Sequence, residues 1–270
     1  MESPHYLNIQ NLKITVFQAY LFWENVDKNL QNISLRLSSG VREKTDLIVL
    51  PEMFSTGFTM KAEELAEEMN GKTMQWLKKI ALQYECVVTG SIIIKENSNC
   101  YNRMIWMLAS GEYQYYDKHH LFGMGDEDKY YAQGNEQLIV ELKGWKIRLA
   151  ICYDLRFPVW LRNKSEGYDI LLLVASWPDK RSSHWRTLIH ARAVENQSYV
   201  VAVNRVGHDG NQVYHSGHSM CIDPHGNTVY YKPEDEDLYT FSINYAELEK
   251  IRRQFPFLRD ADNFSINNDK

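Results

Sequence analysis

Two kinds of apolar periodicity alternate along the chain. Residues 12–19 alternate well enough for a first strand. Val26, Leu30, Ile33 and Leu37 then recur at i, i+4, i+7 and i+11, one face of a helix that Gly40 is placed to end. Residues 46–50, Asp-Leu-Ile-Val-Leu, form a short apolar run stopped by Pro51 and read as a strand buried on both faces. Met74, Leu77 and Ala81 mark a second helix face. Strands are expected over 86–94 and 103–109, with Ser110-Gly111 turning the latter into a partner over 112–116. Residues 138–142 and 146–152 flank a turn at Gly144 as another hairpin, and 170–175 is a further buried strand. Ser183 is the expected N-cap of a helix with Trp185, Leu188 and Ile189 inside. Strands follow over 199–204 and 219–223, the latter turned by 224–227 into a hairpin partner over 228–231, and a late helix over 247–254.

Strands and helices alternate without a Pro/Gly/Ser-rich linker, a repeat or a low-complexity stretch. The simplest organisation is one α/β domain over residues 1–270, with a polar tail from about 262 and helices covering the outer faces of the sheets. A chain of 270 residues buries roughly three quarters of its unfolded surface, enough for a full core.

Composition narrows the function. Hydrophobic residues at 44% and charged residues at 24% are ordinary for a globular protein, and a net charge of −5 with no basic block argues against a nucleic-acid partner. The first five residues show no charged-then-apolar leader, and no apolar run approaches the ~20 residues of a spanning helix, so the expectation is a soluble cytoplasmic protein without a membrane partner. In that compartment Cys86, Cys100, Cys152 and Cys221 are expected as thiols, and none forms a C-x-x-C.

Three strand ends carry candidate chemistry. The run Leu149-Ala-Ile-Cys152-Tyr-Asp154 turns polar at its cysteine, which lifts a thiol to a sheet rim where the Tyr153 N–H can face a bound carbonyl. Alone, such a cysteine reads more readily as core packing. Lys118, in Asp117-Lys-His-His-Leu-Phe122, ends a hairpin strand. A thiol titrates near ~8.5, and a neighbouring ammonium both favours thiolate and stabilises a tetrahedral oxyanion. By itself it is an ordinary surface lysine. Glu52, directly after Pro51, is either a loop acid or a general base that takes the thiol proton, passes it to a leaving amine and activates water against the thioester. Ligand sites of open α/β sheets collect at such strand ends.

These segments together resemble the nitrilase, or carbon–nitrogen hydrolase, superfamily. Leu-Pro-Glu52-Met-Phe, Lys118-His-His-Leu-Phe and Ile-Cys152-Tyr-Asp-Leu-Arg-Phe-Pro look like its Glu–Lys–Cys motifs, in order, and the likeness runs from Lys13 to about Asp260. Residues 51–60, 175–178, 191–197 and 203–207 resemble the bacterial omega-amidase branch, which hydrolyses the terminal amide of 2-oxo dicarboxylate monoamides such as 2-oxoglutaramate and 2-oxosuccinamate. The resemblance implies a four-layer α-β-β-α sandwich, a homodimer, no cofactor, and a second glutamate after the lysine motif, matched here by Glu127. The pair His119-His120 departs from the Lys-Arg-His or Lys-Ile-His of many relatives, at a position outside the catalytic set.

A 2-oxo acid carries a carboxylate that needs a cation. Arg181 is the first candidate and Lys180 the second, a bidentate guanidinium suiting a carboxylate better; both also read as solvated loop charges. Phe58, Phe122 and Trp177 are candidate apolar walls. No metal site is expected: adjacent His119 and His120 point apart, the Gly and Ser around His215 and His218 deny them a helix, and no H-E-x-x-H occurs. Arg192 and Glu195, three apart on a helix, read as a structural ion pair. Other readings stay open: a nitrilase, an N-carbamoyl hydrolase, another amidase, or a silent binding module.

Overall fold

The computed structural model describes residues 9–266. The leader-free reading of residues 1–5 and the end of the polar tail, 267–270, lie outside the described residues. Among the described residues, thirteen strands form two sheets. The first contains β1 (Leu12–Gln18), β2 (Leu47–Val49), β3 (Val87–Glu96), β4 (Asn99–Met107) and β5 (Tyr113–Asp117), with β13 (Asp237–Ile243) returning to pair with β1. The second contains β6 (Ile139–Leu142), β7 (Trp145–Ile151), β8 (Ile170–Ala175), β9 (Tyr199–Asn204), β10 (Val206–His208), β11 (Tyr214–Ile222) and β12 (Thr228–Pro233).

The central strands of each sheet run parallel: β1, β2 and β3 in one, β7, β8 and β9 in the other. They are buried on both faces, which is why their sequences read as unbroken apolar runs. Alternate residues serve different layers. Leu47 and Val49 join Leu149, Leu171 and Leu173 in the core between the sheets. Ile48 and Leu50 face the other way, into a cluster with Leu30, Ile33 and Leu37 of the helix Val26–Gly40 and Leu77 and Ala81 of the helix Lys72–Tyr84. Trp185, Ile189 and Ala193 of the helix Ser182–Asn196 close the opposite side. The layers therefore run α-β-β-α, as expected.

Several boundaries differ from expectation. Gly40 is the last residue of its helix rather than a left-handed stop, and Val41 caps it. Its missing side chain instead admits Leu238, whose Cδ2 would lie 2.5 Å from a Cβ there. Ser183 lies inside its helix, which starts one residue earlier with no side-chain cap. The strand expected from 103 begins at Asn99, because Asn97 and Ser98 both take positive φ and join β3 and β4 as a tight hairpin. Strands β10 and β13 were not anticipated.

The segment that carries Glu52 is seated on β3. Leu50 N–H donates to Thr89 O at 2.8 Å, Met53 N–H to Ser91 Oγ at 2.9 Å and Phe54 N–H to Ser91 O at 3.2 Å. Gly90 lies under this turn, where a Cβ would stand 2.8 Å from Phe54 and 2.9 Å from Leu50. Gly90→Ala is therefore expected to lower stability by about 1–3 kcal/mol through overpacking. Calorimetry checks this; a wild-type unfolding temperature would refute this seating.

Candidate active site

The ends of β2, β5, β7 and β8 open into one cavity of about 1280 Å³. Lys118 follows directly on β5, and its side chain is fully buried. The ammonium reaches Glu52 Oε1 at 2.8 Å and Glu127 Oε1 and Oε2 at 3.0 and 2.8 Å, so both carboxylates bind it. Asn102 of β4 ties the carboxylates together, donating from Nδ2 to Glu52 Oε1 at 2.8 Å and to Glu127 Oε1 at 3.1 Å. The remaining oxygens have backbone donors: Ser176 N–H to Glu52 Oε2 at 2.7 Å and Phe122 N–H to Glu127 Oε2 at 2.6 Å. Glu127 opens a short helix, Glu127–Tyr130, and is itself buried.

Cys152 stands where β7 ends. Its φ of +44° places it in the left-handed region, and a short 3₁₀ helix, Cys152–Arg156, starts from it. The expected strand thus stops one residue early, at Ile151, and the cysteine forms a strained elbow that turns its side chain out of the sheet. Asp154 braces the elbow. Its buried carboxylate accepts from Ile151 N–H at 2.9 Å, from Tyr116 Oη at 2.8 Å and from His120 N–H at 3.0 Å, with His120 Nδ1 at 2.9 Å. One carboxylate therefore joins the cysteine turn to the segment just after Lys118.

The electrostatics assign different states to the two central groups. Burial opposes the Lys118 charge, but Glu127 and then Glu52 outweigh it and hold the ammonium above its ordinary value. Lys118 is a permanent donor and not a base. Cys152 keeps some exposure to the cavity, yet protein surrounds it closely. Burial pushes its thiol well above the ordinary cysteine value, Glu52 adds to the rise and Lys118 offsets part of it. A thiol raised in this way calls for a base to take its proton. Burial also raises Glu127, with Lys118 drawing it back. Burial would raise Asp154, but His120 and the two backbone N–H groups hold it below the ordinary range.

Every residue expected at the site lines the cavity or belongs to the buried cluster at its floor. Tyr153, Phe58, Phe122 and Trp177 form walls, with Lys118 Nζ 5.2 Å from the Phe58 ring centroid. Arg181 lies 5.1 Å over Phe122, whereas Lys180 is exposed at the rim. Asn102, Ser176, Asp154 and Arg156 were given no role from sequence. Asn102 left a signal, an amide within a strand that runs on into the apolar stretch 104–107.

The two adjacent histidines do not point apart as expected: their rings meet edge to face at 4.6 Å because each is drawn onto a neighbouring aromatic ring. His119 stacks on Trp160 at 3.7 Å and His120 on Phe157 at 3.6 Å. His215 and His218 lie on β11, the first with Nδ1 near the carbonyls of Gly207 and Val213, the second with Nδ1 2.6 Å from Tyr231 Oη. Among the described residues no group of three His, Cys, Asp or Glu could hold a metal ion. Arg192 does pair with Glu195, at 2.9 Å.

Known proteins share this sequence and this architecture. The sequence pattern of the carbon–nitrogen hydrolase family matches residues 13–253. The omega-amidase YafV of Escherichia coli K12 is 41% identical over 260 residues, covering 94% of this chain and 98% of that protein. The 2-oxoglutaramate amidase of Bacillus subtilis strain 168 is 36% identical over 219 residues, 80% of this chain and 84% of its own length. The crystal structure of XC1258 from Xanthomonas campestris, a CN-hydrolase superfamily protein, superposes with a TM-score of 0.93 at 39% identity over 96% of this chain and all of that one. With a match across most of its length and relatives this similar, the chain belongs to the carbon–nitrogen hydrolase family.

Proposed function

We propose that this chain is an omega-amidase, which hydrolyses the terminal amide of a 2-oxo dicarboxylate monoamide to the 2-oxo acid and ammonia. The observation that carries the reaction type is the buried Glu52–Lys118–Glu127 cluster beside the Cys152 thiol at the floor of a cavity. The substrate class is supported by the names of the relatives at 41% and 36% identity.

In this reading Cys152 Sγ attacks the amide carbon while Glu52 takes the thiol proton. The oxyanion lies between the Lys118 ammonium and the Tyr153 N–H. As the C–N bond breaks, Glu52 returns the proton to the nitrogen and ammonia leaves, giving a thioester. Glu52 then deprotonates a water that attacks the thioester carbon, and collapse of the second tetrahedral intermediate restores the thiol and releases the acid. Glu127 and Asn102 hold Lys118 and Glu52 in place. The chain acts as one hydrolase domain with a polar tail, supported by a core that draws on both sheets and a single family match. It is read as a cytoplasmic homodimer that works without a cofactor, supported by the family resemblance and by four unpaired cysteines. Among the described residues no helix is long and apolar enough to cross a membrane.

The cavity size favours one alternative, an amidase for bulkier amides, because 1280 Å³ exceeds what a five-carbon acid fills. An ammonia-release panel of 2-oxoglutaramate, 2-oxosuccinamate, glutamine, a simple nitrile and an N-carbamoyl amino acid separates the readings. The two 2-oxo acid amides should lead the panel by kcat/KM, and a nitrile or N-carbamoyl preference would refute the assignment.

Two substitutions test the roles. Cys152→Ala is expected to abolish ammonia release with the thermal unfolding curve intact; a few per cent of residual turnover would count against a thioester. Glu52→Gln should lower turnover by about a hundred- to ten-thousand-fold, the contribution of a general base. The same change removes a negative charge that raises the Cys152 value, so the thiol should ionise at lower pH. The pH midpoint of Cys152 alkylation by iodoacetamide should therefore move down in Glu52→Gln while hydrolysis collapses. A midpoint that stays put or rises would show that Glu52 does not face the thiol.

A further inference from the structure

The two oxygens of Glu52 are held differently. Oε1 accepts from Lys118 Nζ and from Asn102 Nδ2, each at 2.8 Å, which occupies both of its lone-pair directions. Among the described residues Oε2 accepts one hydrogen bond, from the Ser176 N–H at 2.7 Å, and so keeps a lone pair. The Ser176 backbone also bears on Cys152. Burial pushes that thiol up, with Lys118 and then the Ser176 backbone drawing it part of the way back. The direction of the Ser176 N–H therefore sets how Oε2 is presented to the nucleophile.

Ser176 lies one residue past the end of β8, beyond the regular ladder, and there a side chain takes the ladder's place. Asn204 ends β9 in register with Ala175 and is buried. Its amide grips the residue after Ser176 at both ends. The Trp177 N–H donates to Asn204 Oδ1 at 2.8 Å, and Asn204 Nδ2 donates to Trp177 O at 3.0 Å. Nδ2 also donates to Gly217 O at 2.8 Å, and Oδ1 also accepts from the Arg205 N–H at 2.9 Å. Both donors and both acceptor positions of the amide are thus in use, so it has no alternative orientation. Ser219 Oγ steadies the backbone of Asn204 by accepting from its N–H at 2.9 Å.

We propose that Asn204 is a positioning residue for the general base: by clamping the Trp177 backbone it fixes the Ser176 N–H on one lone pair of Glu52 Oε2 and leaves the other for the Cys152 proton. The inference rests on the cysteine-amidase reading and deepens it by naming the atom that carries the proton. As Sγ bonds to the amide carbon, the S–H bond breaks and its proton goes to Oε2, while Oε1 stays occupied by Lys118 and Asn102. The same proton then leaves Oε2 for the departing nitrogen. Asn204 lies behind the cavity wall and acts only through the main chain. An amide suits the place. It adds no charge beside the Glu52–Lys118–Glu127 cluster, whereas an aspartate of the same shape would set a carboxylate against two carbonyl oxygens.

The test compares wild type, Asn204→Ala, Asn204→Ser and a control, Asn163→Ala. Asn163 is another buried amide that bonds backbone, donating to Tyr168 O at 2.9 Å and Asn196 O at 3.0 Å, but it lies before the opposite end of β8. The substrate is whichever compound of the ammonia-release panel the wild type turns over fastest. Asn204→Ala is expected to lower kcat about ten- to a hundred-fold with KM little changed, the effect of a misplaced reacting group. A carboxylate that loses an N–H donor holds its proton more tightly, so the acid limb of the kcat–pH profile should also move to higher pH. Lys118, Glu127 and Cys152, the charged and titratable groups that face Glu52, are unaltered in this variant. Asn163→Ala should lose thermal stability yet keep both kcat and the profile. Asn204→Ser should show the same upward shift, and it decides the matter if Asn204→Ala is unfolded by circular dichroism. An unchanged kcat, a kcat loss without a moved acid limb, or the same shift in Asn163→Ala overturns the positioning role and leaves the amidase reading standing. A wild type inert on the whole panel overturns the amidase reading and the positioning role together.

Discussion

A lysine ammonium sealed between two glutamates is the constraint on which the site is built. Three charges are taken out of water together, a transfer that is costly unless every lone pair and N–H finds a partner. Here both carboxylates bind Lys118, Asn102 bridges them, and the backbone N–H groups of Ser176 and Phe122 take the remaining oxygens. Losing one partner of such a set leaves a buried charge uncompensated, which costs about 3–5 kcal/mol. The cluster therefore exists only when both sheets, through β2, β4, β5 and β8, are correctly placed. Burial first, and the Glu52 carboxylate after it, push the Cys152 thiol up, with Lys118 offsetting part of the rise.

The parallel strands give this cluster its floor. In the second sheet they end together, Ile151 beside Val174 and Val174 beside Val203, so residues distant in sequence emerge side by side. Glu52 and Ser176, 124 positions apart, meet at 2.7 Å because β2 and β8 belong to facing sheets whose ends coincide. Asp154 supplies the second link. By accepting from Ile151 on one side and His120 on the other, it sets the distance between the nucleophile turn and the lysine segment.

Much of this was legible in the residues. The central strands read as apolar runs because burial on both faces permits little else, and the two long N-terminal helices declared themselves through one-sided periodicity. Glu52, Lys118 and Cys152 stood at points where such runs end, and the family resemblance joined them and added Glu127. What escaped depends on distant partners. β13 follows the acidic run Glu234-Asp-Glu-Asp237 and reads locally as a loop, yet its pairing with β1 holds it in the first sheet. Arg156 looks like any cation of a loop. Its place over the Trp177 ring, 4.8 Å away, comes from a segment distant in the chain. The left-handed backbone of Cys152 was equally invisible, because cysteine gives no local preference for it.

That backbone has a consequence for how such a protein ages under mutation. A side chain held at φ of +44° costs about 1 kcal/mol that glycine would not incur. Replacing the whole Cys152 side chain by hydrogen, as in glycine, would relieve that strain and end the chemistry. Stability alone gives this chain no reason to keep its nucleophile.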